Sequence, residues 1–268
     1  MASKDTTDSP IAIVTGANRG IGLEVCRQLA ANGTRVLLGC RDAAAGDKAV
    51  AALRKGGATA QALPLDVEQP ASIRAFAAQA PGVWGAPRIL INNAGVSLDG
   101  FNVAVARRTL AINFHGAELL TDALLPHMPS GSRIVMVSSG LGQLGSFGPA
   151  LRRAFLDPGL TRAGLHALVA QFIAAVSDGS HRAQGWPASA YNVSKAAMNA
   201  LTRLLAAELR PQGTLVNAIS PGWVATDMGG RGAPRDVPTG ARGIVWAAML
   251  PDDGPTGGYF QDAEPMDW

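Results

Sequence analysis

Tyr191 and Lys195 stand four positions apart in PASAYNVSKAAMNA (187–200), within a chain of 268 residues that has only two tyrosines. The residues that follow are small or apolar: Ala196, Ala197, Met198, Ala200, Leu201, Leu204 and Leu205. The stretch therefore reads as a helix that buries a face. Residues four apart on a helix share a side, which brings the Lys195 ammonium near the Tyr191 hydroxyl. An unperturbed phenol, with a pKa of about 10, is a poor proton donor at neutral pH. A neighbouring ammonium favours the phenolate and pulls that value down. A tyrosine tuned in this way can give a proton to a carbonyl oxygen as hydride arrives at the carbon, or take it back in reverse. An ordinary tyrosine–lysine pair on a helix surface has the same spacing, so the rest of the chain must decide.

A second stretch with chemical content is TGANRGIG (15–22). Gly16, Gly20 and Gly22 permit a tight turn, close approach of backbone to a diphosphate, and close packing of a helix on a strand; Asn18, Arg19 and Ile21 fill the turn. The helix that follows would present free N–H groups to an anion. The glycine spacing differs from G-x-G-x-x-G, so the turn is informative mainly because it follows the first strand. The second strand ends in GCRD (39–42), where a dinucleotide fold reads the adenosine ribose. A carboxylate there suits a 2′-hydroxyl, and an arginine suits a 2′-phosphate. Cys40 is neutral, Arg41 follows it, and Arg19 adds a second cation, while Asp42 doubles as a helix cap. NADPH/NADP+ is the favoured cofactor.

The elements that must position these groups alternate. IAIVTG (11–16), RVLLGCR (35–41), ATAQALPLDV, RILINNAG, SRIVMVSS and TLVNAISPG read as strands, with GGYF (257–260) a weak seventh, and helical patterns separate them. That order implies right-handed βαβ crossovers and a parallel sheet covered on both faces. The fold class is α/β, a single Rossmann-like doubly wound domain over 1–268 of about seven strands. A helical insertion, roughly 145–187, delays the helix expected after the fifth strand. Within it Leu165, Leu168, Val169, Phe172, Ile173 and Val176 recur at helical spacing behind a Thr161 cap.

Composition narrows the field further. Twenty-three basic residues against twenty acidic ones, scattered along the chain, give no footprint for nucleic acid. Cys26 and Cys40 lack metal-type spacing and read as buried thiols of a reducing compartment; no metal site is expected. MASKDTTDSP has no apolar core of a secretory signal, and no apolar run spans a bilayer, so a cytoplasmic protein with no membrane partner is expected.

Taken together, TGANRGIG, NNAG (92–95), Asn113 in LAINFHG, the VSS strand end, YNVSK and PGWVATDM occur in an order and placement that resembles the short-chain dehydrogenase/reductase family, from Ile11 to the C-terminus. The resemblance implies a catalytic group of Asn113, Ser139, Tyr191 and Lys195. Ser139 would hydrogen-bond the substrate carbonyl, with Ser138 a rival that alignment on VSS disfavours. Lys195 would hold the nicotinamide ribose and acidify Tyr191, and Asn113 would fix a water that relays protons from Lys195. It also implies adenine contacts from Asp66 and Val67, a ribose side lined by Asn93, Ala94 and Gly95, and a carboxamide loop of Pro221, Gly222, Val224 and Thr226.

Ser139 and Tyr191 lie 52 positions apart, far more than most of the family places between them. That spacing, with GWPASAY and LPDDGPTGGYF, resembles the monomeric carbonyl reductases of animals and the plant menthone- and salutaridine-type reductases. In that subgroup the insertion covers the helix face other members use to dimerise, so a monomer is expected. Leu141, Leu144, Phe147, Trp186, Trp223 and Met228 are candidate walls of a cleft for a small apolar carbonyl substrate. The implied activity is NADPH-dependent reduction of a ketone, aldehyde or quinone. Alternatives are an alcohol dehydrogenase working mainly in the oxidative direction and a non-catalytic NADP(H)-binding regulator.

Overall fold

The computed structural model describes residues 9–268. Most of the polar N-terminal segment, where the lack of a secretory signal was expected, lies outside the described residues. From Ile11 onward strands and helices alternate: β1 (Ile11–Thr15), α1 (Gly20–Ala31), β2 (Arg35–Cys40), α2 (Ala43–Lys55), β3 (Ala60–Pro64), α3 (Pro70–Trp84), β4 (Ile89–Asn92), α4 (Val103–Leu110), α5 (Gly116–Leu124) and β5 (Arg133–Val137). After these come α6 (Pro149–Leu156), α7 (Arg162–Ser177), α8 (Ala190–Leu209), β6 (Leu215–Ile219), α9 (Val237–Ala248), β7 (Tyr259–Gln261) and β8 (Glu264–Pro265).

The strands form one sheet in the order β3-β2-β1-β4-β5-β6-β7-β8. Strands β1, β4, β5 and β6 are buried at every residue, which is why they read as unbroken apolar runs. Helices α1, α2 and α9 cover one face, where Val25, Leu29, Val50, Leu53, Ile244 and Ala248 close the core. The other face packs under α3, α4, α5 and α8, and the same core extends into α6 and α7. The chain order reverses between β1, which pairs with both β2 and β4, so the loops after β1 and β4 diverge and open a crevice at the carboxyl ends of the strands.

Three details differ from the sequence reading. The sheet has eight strands rather than about seven, because β8 turns back antiparallel on β7. Its tight turn is made by Asp262 and Ala263 at φ of 54° and 66°, without the glycine that usually announces such a conformation. The insertion holds two helices, of which the shorter, α6, has too few turns to show a clear apolar period. Asp42 and Thr161 do cap α2 and α7, their side chains accepting from Ala45 N at 3.0 Å and Gly164 N at 3.1 Å. Leu165, Val169 and Phe172 of α7 are buried, and the helix packs on α4 and α8. Leu144, Phe147 and Trp186, expected to line the cleft, are instead core residues: Phe147, Phe155, Phe172 and Trp186 meet in edge-on and tilted ring contacts 5.3–6.2 Å apart. An insertion that folds needs its own apolar centre, and these rings supply it.

Candidate active site

Helix α8 starts where Ser189 Oγ accepts from the Asn192 N–H at 3.2 Å, which sets Tyr191 in the first turn and Lys195 one turn on. Lys195 is 4% exposed, and its Nζ donates to the Val137 carbonyl at 2.8 Å, tying α8 to the end of β5. The ammonium sits 5.6 Å from the centre of the Tyr191 ring. Burial lowers the Lys195 pKa to about 8. The Tyr191 phenol is likewise held above its ordinary value by burial, with a hydrogen bond to the Ser139 side chain working in the opposite direction. Burial is thus the larger influence on the phenol, and the Lys195 ammonium turns a proton toward the Val137 carbonyl.

The hydroxyls of the two rival serines have different partners. Ser138 Oγ donates to Asn199 Oδ1 at 2.6 Å, whereas the Ser139 side chain is hydrogen-bonded to Tyr191; both serines border the cleft. The backbone carbonyl of Ser139 accepts from Tyr259 Oη at 2.6 Å, and Trp268 stacks on the Tyr259 ring at 5.4 Å. Asn113 lies in a π-helical turn, residues 111–115, between α4 and α5. Its side chain accepts from Val96 N at 2.8 Å and donates to Val96 O and Ser194 Oγ at 2.9 and 3.0 Å. Ser194 Oγ in turn donates to the Tyr191 carbonyl at 2.8 Å, so Asn113 is joined to α8 through a residue the sequence did not single out. A Cβ at Gly95 would lie 3.3 Å from Asn113 Oδ1 and 3.6 Å from Lys195 Nζ, so the three converge.

At the nucleotide end, Gly16 and Gly20 adopt φ of 62° and 55°, a region that favours glycine. A Cβ at Gly22 would meet Asn93 Nδ2 at 2.5 Å. Asn93 is thereby a brace as well as a candidate contact: its side chain donates to the Thr15 carbonyl at 2.8 Å. Asn93 N and Ala94 N both donate to Thr15 Oγ1, which makes Thr15 a further residue the motif reading passed over. Asp66 Oδ1 accepts from Glu68 N at 3.0 Å, shaping the turn after β3. Arg41 is exposed at the end of β2, and the Arg19 guanidinium pairs with Asp227 from the loop after β6. That loop is set from below by Arg235, whose backbone bridges Val224 and whose side chain pairs with Asp262 at 2.8 Å. Gly222, at φ of 75°, leaves room for the Arg235 side chain, which a Cβ would strike at 2.6 Å.

Between these ends lies a cleft of about 540 Å³. Ser139, Tyr191, Pro221, Gly222, Val224 and Thr226 line it, and Leu141, Trp223 and Met228 give it exposed apolar walls. A turn in which Gly16 and Gly20 take positive φ and a Cβ at Gly22 would not fit, next to the N-terminus of α1, suits a dinucleotide diphosphate.

The short chain dehydrogenase family model matches residues 10–151, just over half of the chain. The chain belongs to the short-chain dehydrogenase family. A second model, described as enoyl-(acyl carrier protein) reductase, matches residues 154–242. Among curated relatives, this short-chain dehydrogenase is 36% identical to carbonyl reductase [NADPH] 1 of Sus scrofa over 280 residues, 98% of this chain and 96% of that one. Salutaridine reductase from Papaver somniferum has a similar structure, with a TM-score of 0.87, 31% identity and coverage of 95% and 100% of the two chains. Menthone neomenthol reductase from Mentha piperita gives 0.83, 30%, 96% and 100% in the same terms.

Proposed function

We propose that this short-chain dehydrogenase is an NADPH-dependent carbonyl reductase that converts a small apolar ketone, aldehyde or quinone to an alcohol. The observation that carries the reading is the meeting of Tyr191 and Ser139 in one apolar cleft that opens beside the glycine turn. Carbonyl reductase [NADPH] 1 of Sus scrofa, alike over nearly its whole length, supports it.

The site divides the labour as follows. Gly16, Asn18, Gly20, Ile21 and Gly22 would hold the diphosphate, Arg19 and Arg41 would take the 2′-phosphate, and Asp66 and Val67 would bind the adenine. Asn93, Ala94 and Gly95 follow the ribose, while Pro221, Gly222, Val224 and Thr226 orient the carboxamide. NADPH, when bound, supplies the hydride. Ser139 donates a hydrogen bond to the carbonyl oxygen where negative charge develops. Tyr191 gives that oxygen its proton. Lys195, still an ammonium at neutral pH with a pKa of about 8, steadies the ribose and stands one turn from the phenol as its electrostatic partner. Asn113 orders a water beside Lys195 through which the proton is replaced. Leu141, Trp223 and Met228 form the apolar wall for the substrate.

The whole chain acts as one domain, and the protein is a cytoplasmic monomer that binds neither nucleic acid nor membrane; no helix among the described residues is long and apolar enough to cross one. Tyr191→Phe tests the acid assignment. NADPH oxidation with a panel of terpenoid and aromatic ketones and quinones should fall well over tenfold, while NADPH binding, read by nucleotide fluorescence, is retained. A variant that keeps more than a tenth of the rate would remove Tyr191 from its role.

A further inference from the structure

Outside the lining of the cleft, three side chains with metal-binding chemistry converge from three elements. His115 closes the π-helical turn, Glu118 follows three residues later in the first turn of α5, and His166 comes from α7. One donor atom from each lies within 4.8 Å of the other two. Contraction by less than an ångström per ligand would reach the ~2.0–2.2 Å bonds of zinc to imidazole and carboxylate. Glu118 has a side chain only 7% exposed, and His166 Nε2 approaches its Oε2 at 2.9 Å. The rings of His115 and His166 lie nearly parallel, 13° apart with centroids at 5.3 Å. The imidazole of His115 makes no hydrogen bond among the described residues, and nothing in carbonyl reduction employs any of the three.

A buried carboxylate needs a cation. The nearest permanent one, Arg162, reaches Glu118 at 3.6 Å but is already engaged more closely by Asp122 at 2.9 Å and Glu208 at 2.6 Å. Two imidazoles and one carboxylate are a donor set that zinc and its late first-row neighbours accept, whereas magnesium and calcium favour oxygen alone. We propose that His115, Glu118 and His166 form a zinc site that joins the insertion helix α7 to the turn carrying Asn113. Water completes the coordination. The sequence did not disclose this set, because His166 is supplied by the insertion and lies 48 positions from Glu118.

The test uses the full-length, untagged protein stripped of metal, titrated by calorimetry with zinc chloride and, separately, magnesium chloride. One zinc should bind per chain and raise the thermal midpoint, magnesium should do neither, and cobalt should show the visible bands of a nitrogen–oxygen tetrahedral site. His166→Ala, at an exposed position, and His115→Ala should each weaken zinc binding about tenfold or more. NADPH oxidation by His166→Ala serves as the check on its fold. No saturable binding at micromolar zinc would overturn the site. So would binding that both variants retain, or a cobalt spectrum with sulfur charge-transfer bands, which would point to Cys26 or Cys40.

Discussion

Lys195 is an ammonium in the interior with one carbonyl as its direct hydrogen-bond partner, and this has a thermodynamic signature of its own. Burial depresses its pKa from 10.5 to about 8. Between these values the unfolded chain holds a proton that the folded chain has released, so stability rises with pH through that window. Below it both states are protonated and the penalty is constant. Lys195→Met removes the titration, so its thermal midpoint should lead that of the parent most at neutral pH and by less as pH climbs toward 10.5. The difference is worth about 3 kcal/mol across the whole window. A gap that stays level with pH would mean that the folded chain keeps its proton on Lys195. The residues proposed to do chemistry could be picked out in the sequence because chemistry restricts their types: few side chains can serve in the roles proposed for Tyr191 and Lys195. Those that hold them in place were not. Ser194, Asn199, Tyr259 and Arg235 act through contacts with residues 27 to 120 positions away, and an isolated serine, asparagine or arginine has too many other uses to be singled out.

At the scale of elements, close packing can overrule helix propensity, and two glycines separate the effects. Gly116 opens α5 directly against the Val67 carbonyl, where a Cβ would collide with backbone. Gly82 lies within α3 and a Cβ there would meet nothing within 4 Å. Alanine is favoured over glycine in a helix by about 1 kcal/mol, while overpacking costs about 1–3 kcal/mol. Gly82→Ala should therefore raise the denaturant midpoint. Gly116→Ala should lower it and, by displacing Val67, weaken NADPH binding. Equal shifts in the two variants would contradict this reading of the α5 contact. The order of strands and helices could be read in advance because buried parallel strands are short apolar runs bounded by turns. The second insertion helix and β8 could not: α6 is eight residues long, and β8 is two exposed residues after a turn that lacks glycine.

For the molecule as a whole, the insertion is continuous with the interior rather than laid on it. Leu165 and Phe172 of α7 share a core with Ala197 and Leu201 of α8, so the helix that bears Tyr191 is packed by the chain's own residues. A protein that covers this face by itself should scatter light as a single 27.5 kDa particle at micromolar concentration, and double that mass would refute the monomer. The contact between the Tyr259 hydroxyl and the Ser139 carbonyl carries the same theme to the other end of the chain. Trp268, resting on Tyr259 with Arg203 5.6 Å from its ring, acts as a wedge behind the strand end. Loosening Trp268 from Tyr259 would let the segment after β5 drift while the strands stayed paired, so competence for turnover is the more fragile property, and it is anchored at the tail.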